Sequence, residues 1–243
     1  MKLLVSVMDA DEARIAAAAG ADIVDVKNPA EGSLGAPSPA VIAAVRAAVP
    51  AELPVSVAIG DMPNLPGTAA LAALGAARSG AAFVKAGLWG VSTEDDAVAL
   101  LRALREAVPE AIVVAAAYAD ARRVPHAPLA PELLPRVASA AGVGVCLLDT
   151  AVKDGRGLLE WLSPDELSKL VSEAHAAGLE LALAGALRAD DLPMVRDTGA
   201  DIAGVRSAAC TDGARSGPLD AARVRALRAV LTPLPARRSA RRR

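Results

Sequence analysis

Short apolar runs recur along the whole chain and alternate with longer segments in which apolar positions fall at helical spacing. The short runs are "LLVSV" from residue 3, "IVDVK" from 23, "PVSVAI" from 54, "AFVKAG" from 82, "AIVVAAAY" from 111, "VGVCLLD" from 143, "LELALAG" from 179 and "IAGVRSA" from 202. Each reads as a strand. Between them, "PSPAVIAAVRAAV", "TEDDAVALLRALREAV", "SPDELSKLVSEAHAAG" and "PLDAARVRALRAVL" read as helices, several opened by Ser, Thr, Pro or acidic residues as helix starts should be. Eight strands alternating with helices predict a parallel sheet.

The connections orient that sheet. Segments entering strands are terse and alike ("AGADIVD", "SGAAFVK", "AGLELAL", "TGADIAG"), each with Gly where a helix C-cap belongs. Segments leaving strands are long and mixed: "NPAEGSLGAPS", "GDMPNLPG", "YADARRVPHAPLAP" and "TAVKDGRGLLEWLS". Tight turns on one face and elaborate loops on the other predict a single-domain (β/α)₈ barrel over residues 1–232, with its active site on the loop face. An open doubly wound sheet fits less well, because no G-x-G-x-x-G follows the first strand. Residues 233–243 read as a Pro/Arg-rich disordered tail.

Charges interrupt the strand pattern at particular places. In strand two, Ile23, Asp25 and Lys27 share one face while Val24 and Val26 share the other; the valines face the helices, so Asp25 and Lys27 point into the barrel mouth. Strand four places Lys85 at its C-terminal end, and strand six ends on Asp149 with Lys153 four residues on. Only five of the 26 basic residues are lysines, and three of those five stand at strand ends. Arginine is the default cation here, so lysine at these positions points to amine chemistry: arginine neither deprotonates at working pH nor forms an imine. Structural ion pairs plugging the barrel are the plainer alternative.

Strand eight adds Gly204 and Arg206 on its inward face, followed by Ser207, and strand seven ends at Gly185 and Ala186. Loops after strands seven and eight are the usual phosphate cradle of this architecture, so Gly185, Ala186, Gly204, Arg206 and Ser207 are expected to bind substrate phosphate; a salt-bridging Arg206 and a plain turn at Gly185 are the equal alternative. Arg156 and Arg188 are further cations for that role. Tyr118 and Asp120 end strand five and line the pocket or cap the barrel, and Trp89 and Trp161 read as packing lids on the same face. His126 and His175 have no partner at metal-ligand or triad spacing and read as surface residues; no metal site is expected.

Composition bounds the rest. Hydrophobic residues make up 53% of 243 while aromatics make up 2%, so Ala, Val and Leu must fill the core. No apolar window is long enough for a membrane span, and "MKLLVSVMDADE" turns acidic before a secretory segment forms, which predicts a cytoplasmic protein without membrane contact. Cys146 and Cys210 lie in apolar runs without metal spacing and read as core thiols. The net charge of −2 becomes −7 once the five arginines of "ARRSARRR" are set aside, which argues against nucleic acid as a partner. The alanine-rich helix exteriors predict a homo-oligomer.

Taken together, "DVKNPAEGSLGA", "FVKAGLWG", "YADA", "LLDTAVKDGRGLL" and "GVRSAAC" closely resemble the (5-formylfuran-3-yl)methyl phosphate synthase family, also called 4-(hydroxymethyl)-2-furancarboxaldehyde-phosphate synthase, over about residues 1–232. The resemblance implies a (β/α)₈ barrel and a carbon–oxygen lyase acting on phosphates. Its substrate would be a triose phosphate: two molecules of glyceraldehyde 3-phosphate condense in an early step of methanofuran biosynthesis, with no cofactor. It further implies that Lys27 is the Schiff-base lysine and Lys85 the proton acceptor, with Asp25, Asp149 and Lys153 supporting the proton transfers. Another Schiff-base aldolase for phosphorylated sugars, or a non-catalytic phosphosugar-binding barrel, would present similar residue types.

Overall fold

The computed structural model describes residues 1–126 and 128–232. All eight expected strands form: β1 (Lys2–Val7), β2 (Ile23–Val26), β3 (Val55–Pro63), β4 (Phe83–Gly90), β5 (Ile112–Tyr118), β6 (Val145–Asp149), β7 (Glu180–Leu183) and β8 (Ile202–Val205). They pair in parallel in chain order, and β8 returns to β1, so the sheet closes into a barrel and the open doubly wound arrangement is excluded. The helices α1 (Ala10–Ala18), α2 (Pro39–Ala48), α3 (Pro66–Arg78), α4 (Glu94–Ala107), α5 (Leu134–Ala141), α6 (Pro164–Ala176), α7 (Leu192–Asp197) and α8 (Ala221–Leu231) surround it. No described helix is long and apolar enough to cross a membrane. The expected tail, 233–243, lies outside the described residues.

Local chemistry sets the helix starts. Ser38, Thr93 and Ser163 each accept a backbone N–H of the first turn, and Glu166 closes a reciprocal capping box with Ser163. The terse turns carry glycines in the left-handed region, as the C-cap reading requires.

Alternation along each strand divides the apolar residues into two layers. Val24, Val26, Val55, Val57 and Val84 face outward and pack with helix residues such as Ala13, Ala16, Ala69 and Ala73. With only a methyl group at those helix positions, the helices lie close on the sheet, which is how a core nearly free of aromatics still fills. Ile23, Val114, Val145, Ile202 and the half-buried Phe83 face inward and plug the barrel. The polar mouth sits above this plug.

Two strands run further than their apolar runs. "GDMPNLPG" reads as a loop, yet β3 continues through it to Pro63, pairing Asp61 with Gly87 and Pro63 with Gly90 across register irregularities. The glycines permit it: a Cβ on Gly87 would lie 2.0 Å from the Tyr118 hydroxyl, and one on Gly90 would lie 2.7 Å from Pro63 Cα. The extension brings Asp61 over the mouth.

Candidate active site

The innermost charged layer follows from strand register. Ser6, Asp25 and Ser56 are lateral neighbours on β1, β2 and β3, all facing inward. Asp25 is fully buried and accepts hydrogen bonds from Ser6 Oγ (3.0 Å), Ser56 Oγ (2.8 Å) and Lys85 Nζ (2.8 Å). Lys85 is only 4% exposed, so the two charges are held out of water by mutual compensation and two hydroxyls. Nearer the mouth, Asp149 at the end of β6 accepts from Lys153 Nζ (2.8 Å) and from the Thr150 amide (2.7 Å), while Lys153 also donates to the Thr150 carbonyl.

Lys27 differs from its neighbours. The ladder carries one residue past β2, with the Lys27 amide donating to the Val7 carbonyl at 3.1 Å, and this aims the side chain into the mouth. Among the described residues its amine has neither hydrogen bond nor ion pair, whereas Lys85 and Lys153 each hold a carboxylate. Burial is the main force lowering its pKa to about 8; Lys153 and Lys85 lower it further, and Asp149 and Asp25 oppose them. Asp149 goes the other way: burial would raise it, but Lys153 and Lys27 outweigh that and hold it at about 2.

A second set of residues braces the loops around this centre, and sequence patterns alone do not single most of them out. The buried Tyr118 hydroxyl donates to Asp61, whose carboxylate also accepts the amides of Ser33 (2.8 Å) and Leu34 (3.3 Å) in the loop that follows Lys27. Ser33 Oγ in turn donates to the Thr150 carbonyl at 2.8 Å. Asp120 accepts from the amides of Ala151 (2.6 Å) and Val152 (2.9 Å) and so fixes the segment leading to Lys153. Asp120 thus works through backbone rather than as a pocket wall. Trp89 meets Tyr118 edge to face at 5.7 Å, and Trp161 lies under the guanidinium groups of Arg123 (5.3 Å) and Arg156 (4.6 Å). Tyr118→Phe removes one of three donors to Asp61 and is expected to cost about 1–2 kcal/mol, read as a fall in thermal midpoint. An unchanged midpoint would show that Asp61 is already satisfied by its two amides.

The expected phosphate residues divide. Gly185, Ala186, Gly204 and Ser207 line the same cavity as Lys27, Lys85, Lys153, Asp25 and Asp149, a narrow cleft that opens to solvent. The amides of Gly185, Ala186 and Ser207 donate to nothing among the described residues. Arg206 lines that cleft too, but it takes the salt-bridging alternative. It is 7% exposed and its donors are spent inside the protein: on Glu12 through two bonds (2.6 and 3.0 Å) and on the carbonyls of Ser6, Arg215 and Gly217. The sequence signal misses Glu12 because it lies on α1, 194 residues away. Arg188 is an exposed partner of Asp191, and Arg156 pairs with Asp154 over Trp161. Neither lines the cleft. His126 is exposed, His175 meets Asp201 at 2.9 Å, and both cysteines are buried and unbridged, with burial pushing Cys146 up to about 12.

This arrangement of a lone amine beside two lysine–carboxylate pairs can be set against known proteins. The 4-HFC-P synthase family model matches residues 3–228. The chain belongs to that family. Among curated relatives of this 4-HFC-P synthase family member, one from Methanocaldococcus jannaschii is 48% identical over 233 residues, covering 94% of this chain and 98% of its own length. Another, from Methanopyrus kandleri, is 50% identical over 219 residues, covering 88% and 92%. Both are named (5-formylfuran-3-yl)methyl phosphate synthase. Among solved structures, 3-hexulose-6-phosphate synthase from Salmonella typhimurium superposes with a TM-score of 0.65 at 19% identity, covering 95% of this chain and 98% of that one. That likeness concerns the barrel alone.

Proposed function

We propose that the protein condenses two molecules of glyceraldehyde 3-phosphate into (5-formylfuran-3-yl)methyl phosphate through an imine on Lys27, as a step toward methanofuran. The observation that carries this reading is the unpaired Lys27 amine, its pKa lowered to about 8, standing between two lysine–carboxylate pairs. At pH 7 a pKa of about 8 leaves roughly a tenth of the amine neutral, against less than roughly a thousandth for an ordinary lysine. The neutral amine attacks the aldehyde carbon, and loss of water gives an iminium.

The iminium acidifies the adjacent carbon. In this reading Lys85, after passing a proton to Asp25 along their hydrogen bond, takes the one released; the enamine expels the phosphate of the first triose, and the enol carbon so formed attacks the C2 carbonyl of the second triose in its ketose form. Lys153, held by Asp149, protonates departing oxygens, and the same electron sink assists elimination. The balance closes with one phosphate and two waters released, so no oxidant or reductant enters. The free amides of Gly185, Ala186 and Ser207 suit a phosphate oxygen, in keeping with the expected cradle.

Borohydride reduction of the enzyme mixed with glyceraldehyde 3-phosphate, followed by peptide mass mapping, tests this. A substrate-sized adduct on the Lys27 peptide, absent in Lys27→Arg, is expected. In parallel, kcat/KM should rise about tenfold per pH unit below the Lys27 pKa and level off above about 8. An adduct on Lys85 or Lys153 would overturn the assignment of roles, and no adduct at all would favour a phosphosugar-binding barrel.

A further inference from the structure

Each substrate phosphate brings close to two negative charges into the cleft, so the cations that line it can be sorted by what they already hold. Lys85 holds Asp25 and Lys153 holds Asp149. Arg206 holds Glu12, with every N–H of its guanidinium engaged. Lys27 gives up its charge to react. The remaining cation lining the cleft is Arg215, in the loop between β8 and α8. No carboxylate among the described residues stands within ion-pair distance of it; its one side-chain bond runs from Nη2 to the Gly32 carbonyl at 3.0 Å.

We propose that Arg215 is the specificity residue that receives a substrate phosphate at the mouth, and that the buried pair of Glu12 and Arg206 positions it; this rests on the triose phosphate reading above. The positioning is direct. Arg206 Nε donates to the carbonyl of Arg215 itself (2.8 Å) and Nη2 to that of Gly217 (2.8 Å), so the guanidinium that sequence analysis assigns to phosphate instead holds the loop that presents another. The loop is closed at its base by the Cys210 to Leu219 bridge and the Thr211 amide bond to Pro218. From there Arg215 reaches across to the Gly32 carbonyl in the loop after β2, and it lines the same cleft as Lys27. Its bond to a neutral carbonyl is one that a phosphate dianion would outcompete. Burial also disfavours the Arg215 charge, and the nearby Asp149 and Asp61 only partly offset this, so an arriving anion stabilises it further.

The test compares wild type with Arg215→Ala and Arg215→Lys. Loss of one charge-assisted contact should raise KM for glyceraldehyde 3-phosphate roughly 10- to 100-fold with a smaller change in kcat, and lysine should restore part of it. Inorganic phosphate provides a readout that needs no turnover. It should raise the thermal midpoint of wild type above that in chloride of equal ionic strength, and Arg215→Ala should lose most of that rise. Unchanged KM together with an unchanged phosphate response would overturn the assignment. So would a fall in kcat alone. Failure of the imine reading would appear separately, as absence of a Lys27 adduct in wild type, while the phosphate response still reports on Arg215.

Discussion

Arginine at position 27 is expected to abolish turnover, by at least roughly 10⁴-fold, as loss of a covalent nucleophile does elsewhere. The guanidinium keeps the charge and nearly the length of lysine but cannot deprotonate or form an imine. Methionine should be equally inactive yet more stable than wild type, and that contrast is the sharper test. The sign follows from linkage. The folded pKa of about 8 lies below the ordinary lysine value of 10.5, so between those two values the unfolded chain binds a proton that the folded chain does not. Stability from this group therefore rises with pH across that window, and below about pH 8 the protonated amine is a burden on the fold. Lys27→Met removes the burden and should stabilise the protein at pH 7 by about 2 kcal/mol, or roughly 4–8 °C for a chain of this size. Thermal denaturation checks it. A lower midpoint for Lys27→Met would mean that the amine is well accommodated at rest.

Removing the carboxylate of Asp25 should have the largest effect on stability. Asp25→Ala leaves Lys85 buried with its charge uncompensated and strands the hydroxyls of Ser6 and Ser56, which lose their common acceptor. Breaking one side of a buried pair costs about 3–5 kcal/mol, a fall of roughly 10 °C in thermal midpoint. Adding Lys85→Met should return much of that loss, because an apolar side chain of similar size no longer needs a partner, while turnover stays absent. If Asp25→Ala alone melts like wild type, Lys85 is neutral at rest and the pair is not ionic.

Barrel closure and the converging lysines were legible from sequence because both rest on strict periods. The alternation of Ile23, Asp25 and Lys27 against Val24 and Val26 fixes which side chains enter the mouth, and terse against long connections fix which end the mouth is. The strong family motif is carried by the same residues. Partner choice was not legible. Arg206 looks the same in a sequence whether it faces a phosphate or a carboxylate, and only the path of α1 brings Glu12 to it. Asp61 was hidden for a related reason. "GDMPNLPG" has the composition of a loop, and its continuation as strand depends on glycines of the neighbouring strand at 87 and 90 rather than on its own residues. The lesson is that inward direction is a local property, whereas whether a charge is free is not.

The placement of the aromatics has an optical consequence. Both tryptophans of the chain and its single tyrosine sit around the mouth, with Trp89 against Tyr118 and Trp161 beneath two guanidinium groups. The barrel plug and the helix layer, built from Ala, Val and Leu with one Phe, are nearly silent in the near ultraviolet. Emission excited at the indole band therefore originates wholly from the loops at the strand ends, and the unlabelled protein carries its own probe of rearrangement there, with little signal from the scaffold.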